Sequence, residues 1–211
     1  MNDLRLSALL CTRLCHDLIG PAGAVVSGVV LLTESPGAVD QEVLELIRHS
    51  AGETTRRLKY FRAALGMPSD GLSLAAARAI ADDYFAAGKI VLDWSDRIME
   101  TPASLPPRLV PIILNLVLCA AESLPRGGRI AIDGGPAGGG FSIRIKAAGE
   151  TIKADDDALL SLAGDRDPST LDARGLAPYM AARLVSAAGG KIDTAPSADA
   201  MEFSATLPAV P

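Results

Sequence analysis

The sequence predicts an α+β chain: an N-terminal helical hairpin over residues 1–66, followed by a C-terminal α/β sandwich over residues 72–211. Three observations predict it. Residues 2–34 and 40–65 carry apolar side chains at helical spacing and show no strand alternation. A turn-like break, "ESPGAVD", separates the two segments. Beyond the linker-like "GMPSDG" (66–71), short alternating strands mix with helices.

In the first helix Leu4, Cys11, Leu18, Val25 and Leu32 recur every seventh residue, with Leu14 between them. The second helix is the clearer one. Leu44, Ile47, Ala51, Thr54, Leu58, Phe61 and Leu65 step by three and four, a heptad seam. Two antiparallel helices enclose little core, so so much apolar surface calls for a second hairpin. The expected result is a four-helix bundle across a homodimer. Further on, residues 73–87 read as helix, "KIVLDW" (89–94) as strand, and 107–124 as helix after the Pro106-Pro107 start. "GRIAIDG" (128–134) and "FSIRIKA" (141–147) alternate as strands about a Gly-rich turn. Residues 174–188 form a helix stopped by Gly189-Gly190, and "KIDTA" and "MEFSATL" close the sheet.

Bulk properties narrow the function. The net charge is −5 and the pI about 5.0, with no Lys/Arg cluster, so no nucleic-acid partner is expected. Cys11, Cys15 and Cys119 form no disulfide framework, which suits a reducing compartment. The N-terminus is no signal peptide, since Asp3 comes early and Arg13, His16 and Asp17 interrupt the apolar stretch. The apolar run from Leu18 to Thr33 falls short of the ~20 residues a membrane span needs and holds Gly20, Pro21, Gly23 and Gly28. It reads as a buried helix, with no membrane partner and a cytoplasmic location.

Chemistry concentrates at "RLCHDLIGPAG" (13–23). On a helix His16 lies about 160° from both Leu14 and Leu18, so it faces water if they face the core. Asp17 can accept a hydrogen bond from the His16 Nδ1–H, fixing the tautomer and leaving Nε2 as nucleophile. Pro21 has no N–H for the Asp17 carbonyl, so a kink is expected one turn after the histidine. Gly20, Ala22, Gly23 and Ala24 leave a bare surface beside it. Cys11 and Cys15 read as small buried hydrophobes rather than metal ligands, and His49 as a solvated side chain.

"HDLIGP" resembles the phosphoacceptor box of two-component histidine kinases, in which an acid follows the histidine and a proline lies five residues on. The second half resembles the kinase ATPase (Bergerat-type) domain with its ligand contacts removed. In "ILNLVLCAAESLPRGGRIAI" (113–132) Asn115 matches the first asparagine of the N box, and the metal-binding second one falls at Cys119, a poor Mg²⁺ ligand. "IKAAGETI" (145–152) puts Ala147 where the adenine-reading aspartate belongs, and Thr151 in place of a glycine. In "ARGLAPYMAARLVSAAGGKI" (173–192) Gly175 survives, but two other phosphate-loop glycines fall at Ala173 and Ala177, and Pro178 lacks an N–H. With each lost contact worth ~1–3 kcal/mol, the resemblance implies no ATP binding and no cofactor or metal of its own.

An intact histidine box joined to such a domain resembles the dimeric histidine phosphotransferases of alphaproteobacterial phosphorelays, the ChpT type. The resemblance implies a phosphotransferase that accepts a phosphoryl group at His16, assisted by Asp17, from a receiver domain of a hybrid kinase. It implies passage to response-regulator receivers, with Mg²⁺ supplied by the receiver. Arg13, Gly20, Val26 and Val29 are the expected receiver-docking residues. Gly20 stands where water-orienting Thr or Asn occurs in kinases that dephosphorylate their partners, so efficient phosphatase chemistry is not expected. Two other readings stay open: a non-catalytic dimeric pseudokinase scaffold, and an ATP-dependent histidine kinase.

Overall fold

The computed structural model describes residues 3–34, 40–66, 72–101, 106, 108–164 and 166–209. The turn expected at 35–39, the linker at 67–71 and the Pro107 helix start lie outside the described residues. Helix α1 (Asp3–Glu34) and helix α2 (Gln41–Leu65) form the hairpin. Asp40 caps α2, its carboxylate accepting from the amides of Glu42 and Val43. The pairing is antiparallel: Gly28 meets Ile47, and Asp17 meets Arg57. Gly28 is needed there, because a Cβ would lie 2.5 Å from Ile47 Cγ1.

The hairpin bears on three expectations. First, helix α1 continues through Pro21. The carbonyl that proline strands, that of Asp17, accepts a hydrogen bond from Arg57 Nη1 instead. Second, α1 is not buried within the chain. It is long and apolar enough to cross a membrane by length and composition, and only 6% of its most apolar window is buried. Third, Cys11 and Cys15 are exposed rather than buried. One reason serves for both: α2 covers one side of α1 only. On the flank that meets it, Gly28 is buried and Leu18, Val25 and Leu32 are half-buried, while Leu4, Cys11, Cys15, Ile19, Val26 and Val29 are exposed.

The C-terminal half is a five-stranded sheet with helices packed on it. In chain order it contains α3 (Leu74–Phe85), β1 (Ile90–Trp94), α4 (Asp96–Met99), α5 (Leu109–Glu122), β2 (Gly128–Ala137) and β3 (Gly140–Ala148). Then come α6 (Asp156–Ala163), a short 3₁₀ turn at Pro168–Thr170, α7 (Leu176–Ala187), β4 (Lys191–Pro196) and β5 (Ala200–Leu207). Strand order is β1-β2-β3-β5-β4, antiparallel except for β1 beside β2. The β2–β3 turn is Gly138-Gly139, both at positive φ (57° and 80°), as a tight two-residue hairpin requires. Phe141, Ile143, Ile145 and Ala147 of β3 face the helices, while Ser142, Arg144 and Lys146 face away.

Helix α5 is the centre of the core, with residues 112–120 all buried. The hairpin is packed directly onto it. Tyr60, Phe61 and Ala64 at the end of α2 are buried against α3 and α5, and Tyr60 stacks on Tyr84 with ring centroids 4.3 Å apart. The Tyr60 hydroxyl donates to the Leu114 carbonyl at 2.8 Å.

Candidate functional site

His16 lies halfway along α1 with its side chain 82% exposed. Its Nδ1 is 3.0 Å from Asp17 Oδ1, which assigns the ring proton to Nδ1 and leaves Nε2 as the available lone pair. Asp17 itself is 15% exposed and held from two directions. Arg13 Nε donates to Oδ2 at 2.7 Å, and Arg57, paired with Glu53, takes the main-chain carbonyl. The proline five residues after the histidine is therefore what opens the Asp17 carbonyl to α2.

The Arg13 side chain is 14% exposed and is held by contacts within the chain. Both terminal nitrogens of its guanidinium donate to Glu122 Oε1 at 3.1 Å, and Nη1 also reaches the Ala173 carbonyl at 3.3 Å. An isolated Arg/Asp pair one helical turn apart stabilises by only about 0.3–0.5 kcal/mol, too little to fix a rotamer. The contacts from α5 and the loop before α7 supply the rest. Burial alone would lower the Arg13 pKa, but Glu122 and Asp17 outweigh it and raise it. Glu122 keeps 38% of its side chain exposed, yet desolvation at the seam raises its pKa, and Arg13 recovers only part of that cost. The two directions are compatible: the pair favours the cation, while the carboxylate is the partner that suffers desolvation.

Gly20 is exposed, with open space where a Cβ would stand, and Gly23 is the same. Val26 and Val29 are exposed but lie about 80° and 140° round the helix from His16. They share a stripe with Cys11, Cys15 and Ile19 on the side away from Arg13. His49 is exposed on α2. Among the described residues no group of three or more His, Cys, Asp and Glu side chains is placed to hold a metal.

A cleft of about 680 Å³ opens beside His16, lined also by Asp17, Glu122, Lys153, Asp155 and Arg174. It is a seam between α1 and the C-terminal half, where charged side chains dominate. Of the positions that the resemblance gives to a nucleotide, Ala173 and Gly175 line this cleft, and several others are buried. Asn115 is fully buried; its Nδ2 donates to the Ala64 and Pro111 carbonyls at 2.7 and 2.8 Å. Its Oδ1 has no partner among the described residues. Cys119, Ala147 and Ala177 are buried in the core. The Gly175 amide already donates to Asp172 Oδ1 at 2.8 Å, and a Cβ at Gly175 would sit 2.7 Å from Leu171 Cδ1. Cys119 and Ala147 thus stand where the resemblance puts the metal amide and the adenine carboxylate, and the amide at the start of α7 is taken by Asp172.

Glu122 and the Ala173 carbonyl were not legible as site residues, since they lie 109 and 160 residues from Arg13. The Arg13–Asp17 spacing, one helical turn, carried the only sequence signal for that network.

The histidine phosphotransferase C-terminal domain model matches residues 74–200. The protein phosphotransferase ChpT of Brucella abortus (strain 2308) is 32% identical over 97% of both chains. A solved structure described as a bacterial phosphotransferase superposes with a TM-score of 0.82 at 31% identity, again over 97% of both chains. With a family model over its C-terminal half and relatives matched along nearly its full length, the chain belongs to the histidine phosphotransferase family.

Proposed function

We propose that the chain relays a phosphoryl group between receiver-domain aspartates through phosphohistidine at His16, without using ATP. One observation carries the reading: an 82% exposed imidazole whose Nδ1 is engaged by Asp17 and whose Nε2 is available. Nε2 attacks the phosphorus of a receiver aspartyl phosphate in line. The P–O bond to the aspartate breaks, and the receiver leaves with its carboxylate restored. Asp17 stabilises the positive charge that develops on the ring. The receiver contributes Mg²⁺ and a basic residue to the transferring group. The same steps in reverse deliver the phosphoryl group to a second receiver.

The filled core around Asn115, Cys119, Ala147 and Ala177 supports the absence of an autokinase step. Gly20, about 40° from His16 round the helix, remains a receiver contact in this reading. Val26 and Val29 are assigned instead to a second copy of the chain. With Ile19 on α1 and Leu44, Ala51 and Leu58 on α2, they form an uncovered apolar face at heptad spacing, which suits a homodimeric four-helix bundle in the cytoplasm.

The test is to mix the protein with a phosphorylated receiver and look for acid-labile label on the chain. Wild type takes label and His16→Ala does not; no label, or equal labelling of both, sinks the reading. Incubation with labelled ATP alone yields none, and self-labelling would restore the kinase reading. Sedimentation gives a dimer that Val26→Glu with Leu58→Glu converts to monomer. A monomeric wild type removes the bundle.

A further inference from the structure

The carboxylate that touches His16 is itself held by the other half of the molecule. Asp17 Oδ1 faces His16 Nδ1, and Oδ2 accepts from Arg13 Nε. The far side of the same guanidinium is taken by Glu122, the last residue of α5, and by the Ala173 carbonyl ahead of α7. Every link in this row is 3.3 Å or less. An arginine is suited to the middle of it, because a planar fork meets two carboxylates in fixed directions where an ammonium would meet one.

We propose that Arg13 and Glu122 are positioning residues for His16. The C-terminal half holds the Arg13 fork still, the fork orients the Asp17 carboxylate, and the carboxylate keeps the ring proton on Nδ1. The inference rests on the reading of His16 as the nucleophile, and it gives the C-terminal half a part in the transfer chemistry. Glu122 reaches the imidazole through two other side chains, so it sets the tautomer without touching the reacting atoms. The other groups facing Asp17 are the Arg57 guanidinium, paired with Glu53, and the Tyr84 phenol from α3, and they remain when Arg13 or Glu122 is changed.

The experiment is ¹⁵N NMR of histidine-labelled protein across pH, which reads the His16 tautomer directly. His49, the chain's other histidine, is the internal reference. In wild type the Nδ1–H form dominates. Arg13→Ala and Glu122→Ala shift His16 toward a mixture and leave His49 unchanged. Arg13→Lys recovers part of the bias, since it holds one carboxylate but not both. Transfer from a phosphorylated receiver slows on the order of ten-fold in the two alanine variants. Folding of each variant is checked by its melting curve. An unchanged His16 tautomer in folded Arg13→Ala and Glu122→Ala, alongside an altered one in Asp17→Asn, overturns the proposal. Coupled tautomers in a wild type that never takes label would leave the positioning intact and sink the transfer reading alone.

Discussion

Asp17→Asn puts the network under the sharpest strain. Arg13 Nε is a donor with no acceptor capacity, and it sits 2.7 Å from Asp17 Oδ2. An amide has one oxygen to offer where the carboxylate had two. A hydrogen bond to a charged group is worth about 1.5–3 kcal/mol against about 1 kcal/mol for a neutral pair, so the oxygen turns to Arg13. The NH₂ then faces His16 Nδ1 and drives the ring proton to Nε2, the atom that must attack. A preference of about 1.4 kcal/mol leaves roughly one-tenth of the molecules in the productive tautomer. The lost charge adds to this. At 3.0 Å from the ring, in a site open to water, a unit charge contributes about 1.4 kcal/mol at the aqueous limit, another factor of ten. Rapid-quench transfer from a phosphorylated receiver should therefore slow about 100-fold by these two terms. Adding Arg13→Ala frees the amide to turn its oxygen back to Nδ1–H, so the two losses should not multiply. A double variant slowed by the full product of the single costs, or an Asp17→Asn that transfers at the wild-type rate, refutes the reasoning.

Burial holds the Glu122 pKa above its ordinary value of 4.5, so the folded state binds that proton more tightly than the unfolded chain. Its contribution to stability is complete below 4.5 and is lost as pH rises through the raised value. Urea titrations should show the stability difference between Glu122→Gln and wild type moving in the variant's favour across that window; a flat difference contradicts it. Gly28→Val drives a side chain into Ile47 and should cost about 1–3 kcal/mol by overpacking. Gly23→Ala, with nothing near the new methyl, should instead stabilise by up to about 1 kcal/mol, and calorimetry distinguishes the two. Asn115→Leu strips the partner from the Ala64 carbonyl in the last turn of α2, and should cost about 1–2 kcal/mol in denaturant unfolding. A gain in stability there would mean that the orphaned Oδ1 outweighs both bonds.

Much of this molecule could be read from periodicity. The helix expected at 107–124 is observed at Leu109–Glu122, and the strand expected at 89–94 at Ile90–Trp94. Helix α6 was missed although Asp155 caps its start and Gly164 its end, because eight residues give a helical period too few turns to declare itself. The apolar seam of α1 was legible as helix but not as a face. Leu4 and Cys11 repeat in step with Leu18, yet both are exposed: α2 ends before the level of Leu4, and Cys11 lies on the flank it leaves open. The first turns of α1 lie instead along the C-terminal half, where Arg5 Nη2 donates to the Leu171 carbonyl. At the site, the His-Asp pair and the proline are local and readable. Arg57 on the stranded carbonyl and Glu122 on Arg13 are products of tertiary packing, and no spacing rule anticipates them.

The two glycines flanking Pro21 carry a last consequence. Gly20 and Gly23 present backbone where most helices present long, rotating side chains. A protein that settles on an ordinary helix face immobilises those side chains, at about 0.5–1.5 kcal/mol each. Here there is almost nothing to immobilise. Encounter is entropically cheap, but the same bareness supplies few contacts to hold the visitor. Such a surface favours short residence times and successive occupants, the kinetics that the proposed relay would require.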